Sequence, residues 1–147
     1  MDQLLQIFDN RVLWISIAGW FAAQFLKVVF YACKNRKFSL ERLMGAGGMP
    51  SSHSSTVCGM TVAVGRTYGL DSPLFAISLI VAFIVMYDAT GVRRAAGEQA
   101  RVLNRLLMEH DKAEAQKALK EFLGHTPLEV LGGAVLGIAL GFLIPIA

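Results

Sequence analysis

The sequence predicts an all-α integral membrane bundle of about four spans with amphipathic surface helices. Three observations carry that expectation. Hydrophobic residues make up 54% of the chain and charged residues only 17%, against roughly a quarter charged in a soluble domain. The mean hydropathy is +0.50, and long apolar runs, not scattered core positions, produce it. The basic residues gather in blocks between those runs. At 147 residues the natural reading is one domain, residues 1–147, and the apolar content excludes a disordered chain.

Taken in order, the N-terminal segment MDQLLQIFDN has no basic n-region and no small-residue cleavage site after it. The first apolar segment is therefore expected to stay as an anchor. Four apolar stretches follow: Val12 to Ala32, Ser55 to Leu70, Pro73 to Ala89 and Thr126 to Ala147. The first and last are long enough for a hydrocarbon core of about 30 Å, which takes roughly 20 helical residues. The middle two are shorter, and Gly69-Leu70-Asp71-Ser72-Pro73 between them reads as a tight hairpin. Open strands would leave backbone groups unsatisfied in lipid, so all four are read as helices.

Two polar connections separate the stretches. Cys33 to Ser54 carries Lys34, Arg36, Lys37 and Arg42, then the run Gly45-Ala46-Gly47-Gly48. Gly91 to His125 carries seven basic residues, with Val92, Ala95, Ala96, Leu103, Leu106 and Leu107 at helical spacing. That pattern predicts an amphipathic helix lying at the membrane surface or packing under the bundle, and Lys112 to Leu123 predicts a second, weaker one. With four spans both connections fall on one side, and together they hold eleven of the fourteen Lys and Arg. The positive-inside rule places them, and the site described next, on the cytoplasmic face of a multi-pass plasma-membrane protein. The net charge of +3 then belongs to topology rather than to nucleic acid, which is not an expected partner. Cys33 and Cys58 stand in neither a CxxC nor a metal-ligand spacing and read as buried thiols.

Chemistry-bearing residues fall in four places. In Gly47-Gly48-Met49-Pro50-Ser51-Ser52-His53-Ser54-Ser55 a glycine-rich turn and a run of hydroxyls precede an apolar helix. Free N–H groups at a helix start bind anions, and a histidine there can protonate a departing oxygen. An ordinary N-cap beside a surface histidine fits the same residues. In Gly124-His125-Thr126-Pro127-Leu128-Glu129 the histidine and carboxylate are four apart at a helix start. A carboxylate on one imidazole nitrogen fixes the tautomer and leaves the other as nucleophile or base, although an interfacial ion pair has the same spacing. Arg93 and Arg94 follow the third apolar run, with Asp88 before them and Gln99 after; adjacent arginines can clamp phosphate or simply anchor the chain at the interface. Lys27 lies within the first run and either faces a bound phosphate or snorkels to headgroups.

On this topology Lys27, Ser51 to His53, Asp88, Arg93, Arg94, His125 and Glu129 all map to the cytoplasmic ends of different spans. Two histidines, several cations and a glycine-rich turn suit phosphoryl transfer, one histidine attacking and the other protonating the leaving group. The sequence offers no acidic cluster for a divalent metal, so no metal and no cofactor are expected.

These residues resemble the type-2 phosphatidic acid phosphatases, the family related to vanadium-dependent haloperoxidases, and most closely its divergent branch. Pro50-Ser51-Ser52-His53 is similar to the family's Pro-Ser-Gly-His motif, and His125 to Ala134 is similar to its His-x-x-x-Asp segment and following helix. Val92 to Ala100 and Gly47 to Ser54 resemble the divergent branch specifically. The resemblance implies that His125 is the nucleophile, Glu129 its carboxylate partner and His53 the general acid. It implies phosphate held by Lys27, Ser51, Ser52 and Arg93 or Arg94, with Asp88 and Gln99 in support. Ser52 stands where the family has glycine, Glu129 where it has Asp, and Leu119 where it has arginine six residues before the nucleophile. The implied activity is hydrolysis of a lipid phosphate, such as phosphatidylglycerophosphate or phosphatidate, with polyprenyl phosphates as further substrates. The other expectation is a catalytically silent membrane protein that binds phospholipid headgroups or a partner through the same pocket. The repeat Gly133, Gly137, Gly141 permits close helix contact, with a homodimer contact as one use of it.

Overall fold

The computed structural model describes residues 2–36, 48–110, 119 and 124–146. Lys37, Arg42, the run 45–47 and, apart from Leu119, the helix expected over 112–123 lie outside them. Within the described residues every element is a helix: α1 (Asp2–Asp9), α2 (Arg11–Asn35), α3 (Ser52–Tyr68), α4 (Pro73–Thr90), α5 (Val92–His110) and α6 (Pro127–Leu143).

Short polar side chains start four of these helices. Asn10 accepts from the Leu13 N–H at α2, Ser51 from Ser54 at α3, Ser72 from Phe75 at α4 and Thr126 from Glu129 at α6. Each satisfies a backbone donor that has no partner inside its helix. Pro73 and Pro127 occupy first-turn positions, where a missing N–H costs nothing. The hairpin expected between α3 and α4 is present: Gly69 turns at φ 89° and Ser72 Oγ donates to its carbonyl at 2.8 Å.

Helix α3 is the central element and packs against α2, α4 and α6. Small and polar residues make these contacts. Ser16, Gln24, Ser54, Ser55, Thr61 and Ser78 are buried, whereas Phe25, Ile77, Ile80, Phe83, Ile84 and Phe142 are exposed. Lipid is as apolar as leucine, so large side chains lose nothing by facing it, and backbones approach closely where residues are small. The buried hydroxyls bond to backbone carbonyls, Ser55 to Gly19 at 2.9 Å and Thr61 to Val57 and Ser78 at 2.8 and 3.1 Å. This distribution is that of a membrane helical protein.

Two stretches, Arg11–Cys33 and Pro73–Leu106, are long and apolar enough to cross a membrane, and Pro127–Leu143 is a shorter apolar helix. Helices α3 and α6 have 17 residues each, about 25 Å at a rise of about 1.5 Å per residue.

The glycine repeat makes its close helix contact within the chain. A Cβ at Gly133 would strike the Ser51 carbonyl oxygen, one at Gly137 the Ser55 carbonyl oxygen, and one at Gly141 would come within 2.7 Å of Val62. The stripe on α6 is spent against α3 inside one chain, so it is not an open homodimer surface. Arg66 ends the same pair of helices: its Nη1 donates to the carbonyls of Gly141, Phe142 and Ile144 at the C-terminus of α6. A cation on those carbonyls also complements the negative end of the helix dipole.

Two further elements, α1 and α5, also carry apolar faces outward. Helix α1, not expected from the sequence, exposes Leu4, Leu5, Ile7 and Phe8, and Trp14 Nε1 donates to the Phe8 carbonyl at 3.0 Å. Helix α5 is amphipathic as expected and exposes Val92, Val102, Leu103 and Leu106. Its buried Asn104 holds Leu119 by both backbone groups, at 2.9 Å to the carbonyl and 2.8 Å from the N–H.

Candidate functional site

Three helix ends and one side chain of α2 meet at one place, and two main-chain hydrogen bonds fix the ends there. The Ser51 N–H donates to the Glu129 carbonyl at 2.9 Å, joining the start of α3 to the first turn of α6. The His125 N–H donates to the Ala89 carbonyl at 2.8 Å, joining α6 to the end of α4. Lys27 Nζ donates to Ser52 Oγ at 3.3 Å and brings in α2. Because backbone groups make two of these three ties, the arrangement depends on helix positions more than on side-chain identity.

His125 is buried, with 4% of its surface exposed. Its Nδ1 lies 3.2 Å from Glu129 Oε2, and the same oxygen accepts the Thr126 N–H at 3.0 Å. Thr126 Oγ1 in turn accepts the Glu129 N–H at 3.3 Å, which completes a capping box. Glu129 therefore serves the helix start and the imidazole with one oxygen. A carboxylate can only accept, so Nδ1 is the nitrogen that carries the proton toward Glu129. The His53 ring stands 6.0 Å from the His125 ring, centroid to centroid, at 66°, and His53 is exposed.

Lys27 is 6% exposed, with Ser51, Ser52 and Ser54 buried around the start of α3. Ser54 Oγ donates to Ser51 Oγ at 3.1 Å. The cluster thus combines one ammonium, one carboxylate, two imidazoles and a helix N-terminus within a small volume. Such a set can bind an oxyanion, present one nitrogen as nucleophile and offer a second as proton donor.

Of the residues singled out from the sequence, Lys27, Ser51, Ser52, His53, His125 and Glu129 come together. Asp88 is half-buried beside Ala89. Arg94 is exposed on α5, its Nε 3.2 Å from Glu98, and Gln99 is exposed on the same helix. These two stand on the outer surface of α5 rather than in the cluster. The side chain of Arg93 lies outside the described residues. Two contributors were missed, Ser54 and the Ala89 carbonyl. The hydroxyl run of α3 signalled the first, whereas a carbonyl has no sequence signal. Among the described residues no three His, Cys, Asp or Glu side chains are grouped as metal ligands.

The sequence model of the Divergent PAP2 family matches residues 8–140. The chain belongs to the Divergent PAP2 family. It is also 42% identical over 149 aligned positions to the "Uncharacterized membrane protein YuiD" of Bacillus subtilis (strain 168), covering 92% of this chain and 94% of that protein. No solved structure matches the chain. The matched span takes in every residue of the cluster, so the site lies within the part of the chain that defines its membership in the Divergent PAP2 family. Together with the outward-facing apolar helices, the relative's description makes this a membrane protein.

Proposed function

We propose that the chain is a membrane lipid-phosphate phosphatase working through a phosphohistidine. The supporting observation is the buried His125–Glu129 pair set 6.0 Å from the His53 ring, beside the capped start of α3 and Lys27. In this reading Lys27 and the N–H groups at the start of α3 hold the non-bridging phosphate oxygens. His125 Nε2 attacks phosphorus as the bond to the lipid oxygen breaks, and His53 gives that oxygen its proton. The lipid alcohol leaves. His53, now neutral, takes a proton from water as the water oxygen attacks the phosphohistidine, releasing inorganic phosphate and restoring both imidazoles. Glu129 keeps Nε2 available and stabilises the positive ring that forms.

The basic residues support α2, α3, α4 and α6 as four crossings of the plasma membrane, with the cluster at the cytoplasmic face. Substrates on that leaflet, such as phosphatidylglycerophosphate or phosphatidate, suit this orientation better than polyprenyl diphosphates released outside. A second reading, a silent headgroup-binding protein, draws on Arg94 being engaged with Glu98, which leaves Lys27 as the cation of the described cluster.

The test is phosphate release by purified protein from each lipid, with chelator, beside His125→Ala and Lys27→Met. Release that survives chelation and disappears in His125→Ala is the expected result. Headgroup binding without release from any substrate, by a folded protein, overturns the phosphatase in favour of the silent binder.

A further inference from the structure

One turn deeper in the bundle, away from the cluster, α4 and α6 part and leave a groove of about 610 Å3 over one face of α3. That volume lies within the roughly 300–1,000 Å3 of small-molecule sites. The rim nearer the cluster is formed by Cys58, Met86 and Ala134. Each stands about one helical turn from a residue that builds the cluster. Cys58 follows Ser54, whose hydroxyl is bonded to Ser51. Met86 precedes Ala89, which accepts the His125 N–H. Ala134 follows Val130, the neighbour of Glu129.

The groove asks for nothing polar. Its lining is apolar except for Thr61 and Arg66. The Thr61 hydroxyl is spent on two carbonyls, and Arg66 Nη1 on three at the end of α6. From Cys58 to Arg66 the groove extends about 12 Å along α3, and from Met86 to Phe75 about 16 Å along α4, at a rise of about 1.5 Å per residue. At its far end Leu70 and Phe75 pack on Gly65, where a Cβ would come within 2.9 Å of the first and 3.0 Å of the second.

We infer that this groove is the chain subsite of the phosphate cluster, taking the hydrocarbon tail of the lipid whose phosphate the cluster binds. The inference rests on the phosphate-binding part of the proposed function and adds a length limit to it. A tail that descends from the cluster meets the rim about one turn down, runs between α4 and α6, and stops at Leu70 and Phe75. Bulk lipid wets the outer face of α4 without regard to headgroup, whereas a tail tethered by its phosphate enters the groove in one direction.

The test uses the full chain in lipid nanodiscs, as His125→Ala so that no probe is consumed. The probe is dodecyl phosphate carrying a diazirine at the chain end, with the labelled residues mapped by mass spectrometry. Label is expected on Phe75, Leu79 and Phe142, competed by excess dodecyl phosphate but not by dodecanol. A butyl probe should label nearer Met86. Ile138→Trp, filling one wall, and Leu79→Trp, filling the other, should both lose the far-end label. Label confined to Ile77 and Ile84 on the outer face of α4 overturns the inference, as does groove label that dodecanol competes equally or label excluded by a second copy of the chain. Phosphate release from butyl phosphate by the unmutated protein is measured alongside. Groove labelling without any release overturns the phosphatase step alone, and release with label outside the groove overturns the chain subsite alone.

Discussion

Replacing Gly137 by alanine tests how the site is held together. The added Cβ would run into the Ser55 carbonyl oxygen and stand 2.9 Å from the Gly59 nitrogen. Both atoms are backbone of the central helix and cannot rotate away, so α6 must back off from α3. Overpacking costs about 1–3 kcal/mol, and a clash of backbone with backbone belongs near about 3. Alanine in place of glycine offsets about 1 kcal/mol through helix propensity, leaving a net loss of about 2 kcal/mol. Gly132→Ala is the matched control, one turn or so away on the same helix. Its Cβ would meet Met49 Cε at 3.0 Å, the end of a flexible side chain that can swing aside. That variant should keep the propensity gain and be neutral to about 1 kcal/mol more stable. Both are measured by reversible unfolding in mixed micelles, on equal footing. Equal stabilities would refute the close α3–α6 contact and, with it, the account of the glycine stripe as an internal seam. The seam also carries the site, because α6 supplies His125 and Glu129 while α3 supplies Ser51 to His53. A shift of about 1 Å costs on the order of 10²-fold in rate, so Gly137→Ala should lose phosphate release beyond its loss of stability.

Glu129→Gln separates two roles of one side chain: glutamine still completes the capping box, so thermal stability should change by less than about 1 kcal/mol. Phosphate release should fall on the order of 10⁴-fold, as when a carboxylate no longer fixes a catalytic imidazole; retained release would sink the assigned partnership. Arg66→Gln removes the charge that holds three carbonyls at the end of α6 and should cost about 1.5–3 kcal/mol in the same unfolding assay. Its release rate on butyl phosphate, whose chain is too short to reach the Arg66 end of the groove, should stay near that of the unmutated protein, since Arg66 lies about 20 Å along α3 from Ser52.

Much of this arrangement is legible in the sequence where a local rule decides it. The capping residues Ser51, Ser72 and Thr126 and the turn at Gly69 obey short-range preferences, and the four-residue interval lets Glu129 in the first turn of α6 reach back past the cap to His125. What depends on a neighbour is less visible. The interval between Gly133, Gly137 and Gly141 says that something packs closely, but not what. The answer was available in a second row, Ser51, Ser55 and Gly59, at the same spacing on α3. Two matching small-residue rows in one chain argue for an internal seam before a dimer. Arg94 repeats the point: Glu98 stands four residues on, a spacing at which opposite charges meet on a helix surface, and that pair competes with any reach toward phosphate. Helix α1 escaped because eight residues are too few for periodicity to distinguish from a polar leader, and its support, Trp14 donating to Phe8, spans the break at Asn10.

The directions of the helices give the cluster its electrostatic character. Helices α3 and α6 begin at the site, so both present the positive ends of their dipoles and their uncommitted N–H groups there. The first turn of α3 contains no acidic residue, whereas α6 carries Glu129, which is occupied with His125 and the Thr126 N–H. Helix α4 runs the other way and brings the negative end of its dipole. Helix α2 contributes Lys27, two turns inside its C-terminus, whose ammonium is turned to Ser52. An anion arriving at the cluster is therefore drawn toward the start of α3 and Lys27 and away from the carboxylate. The asymmetry of that field comes from which helix ends meet rather than from a count of charged side chains.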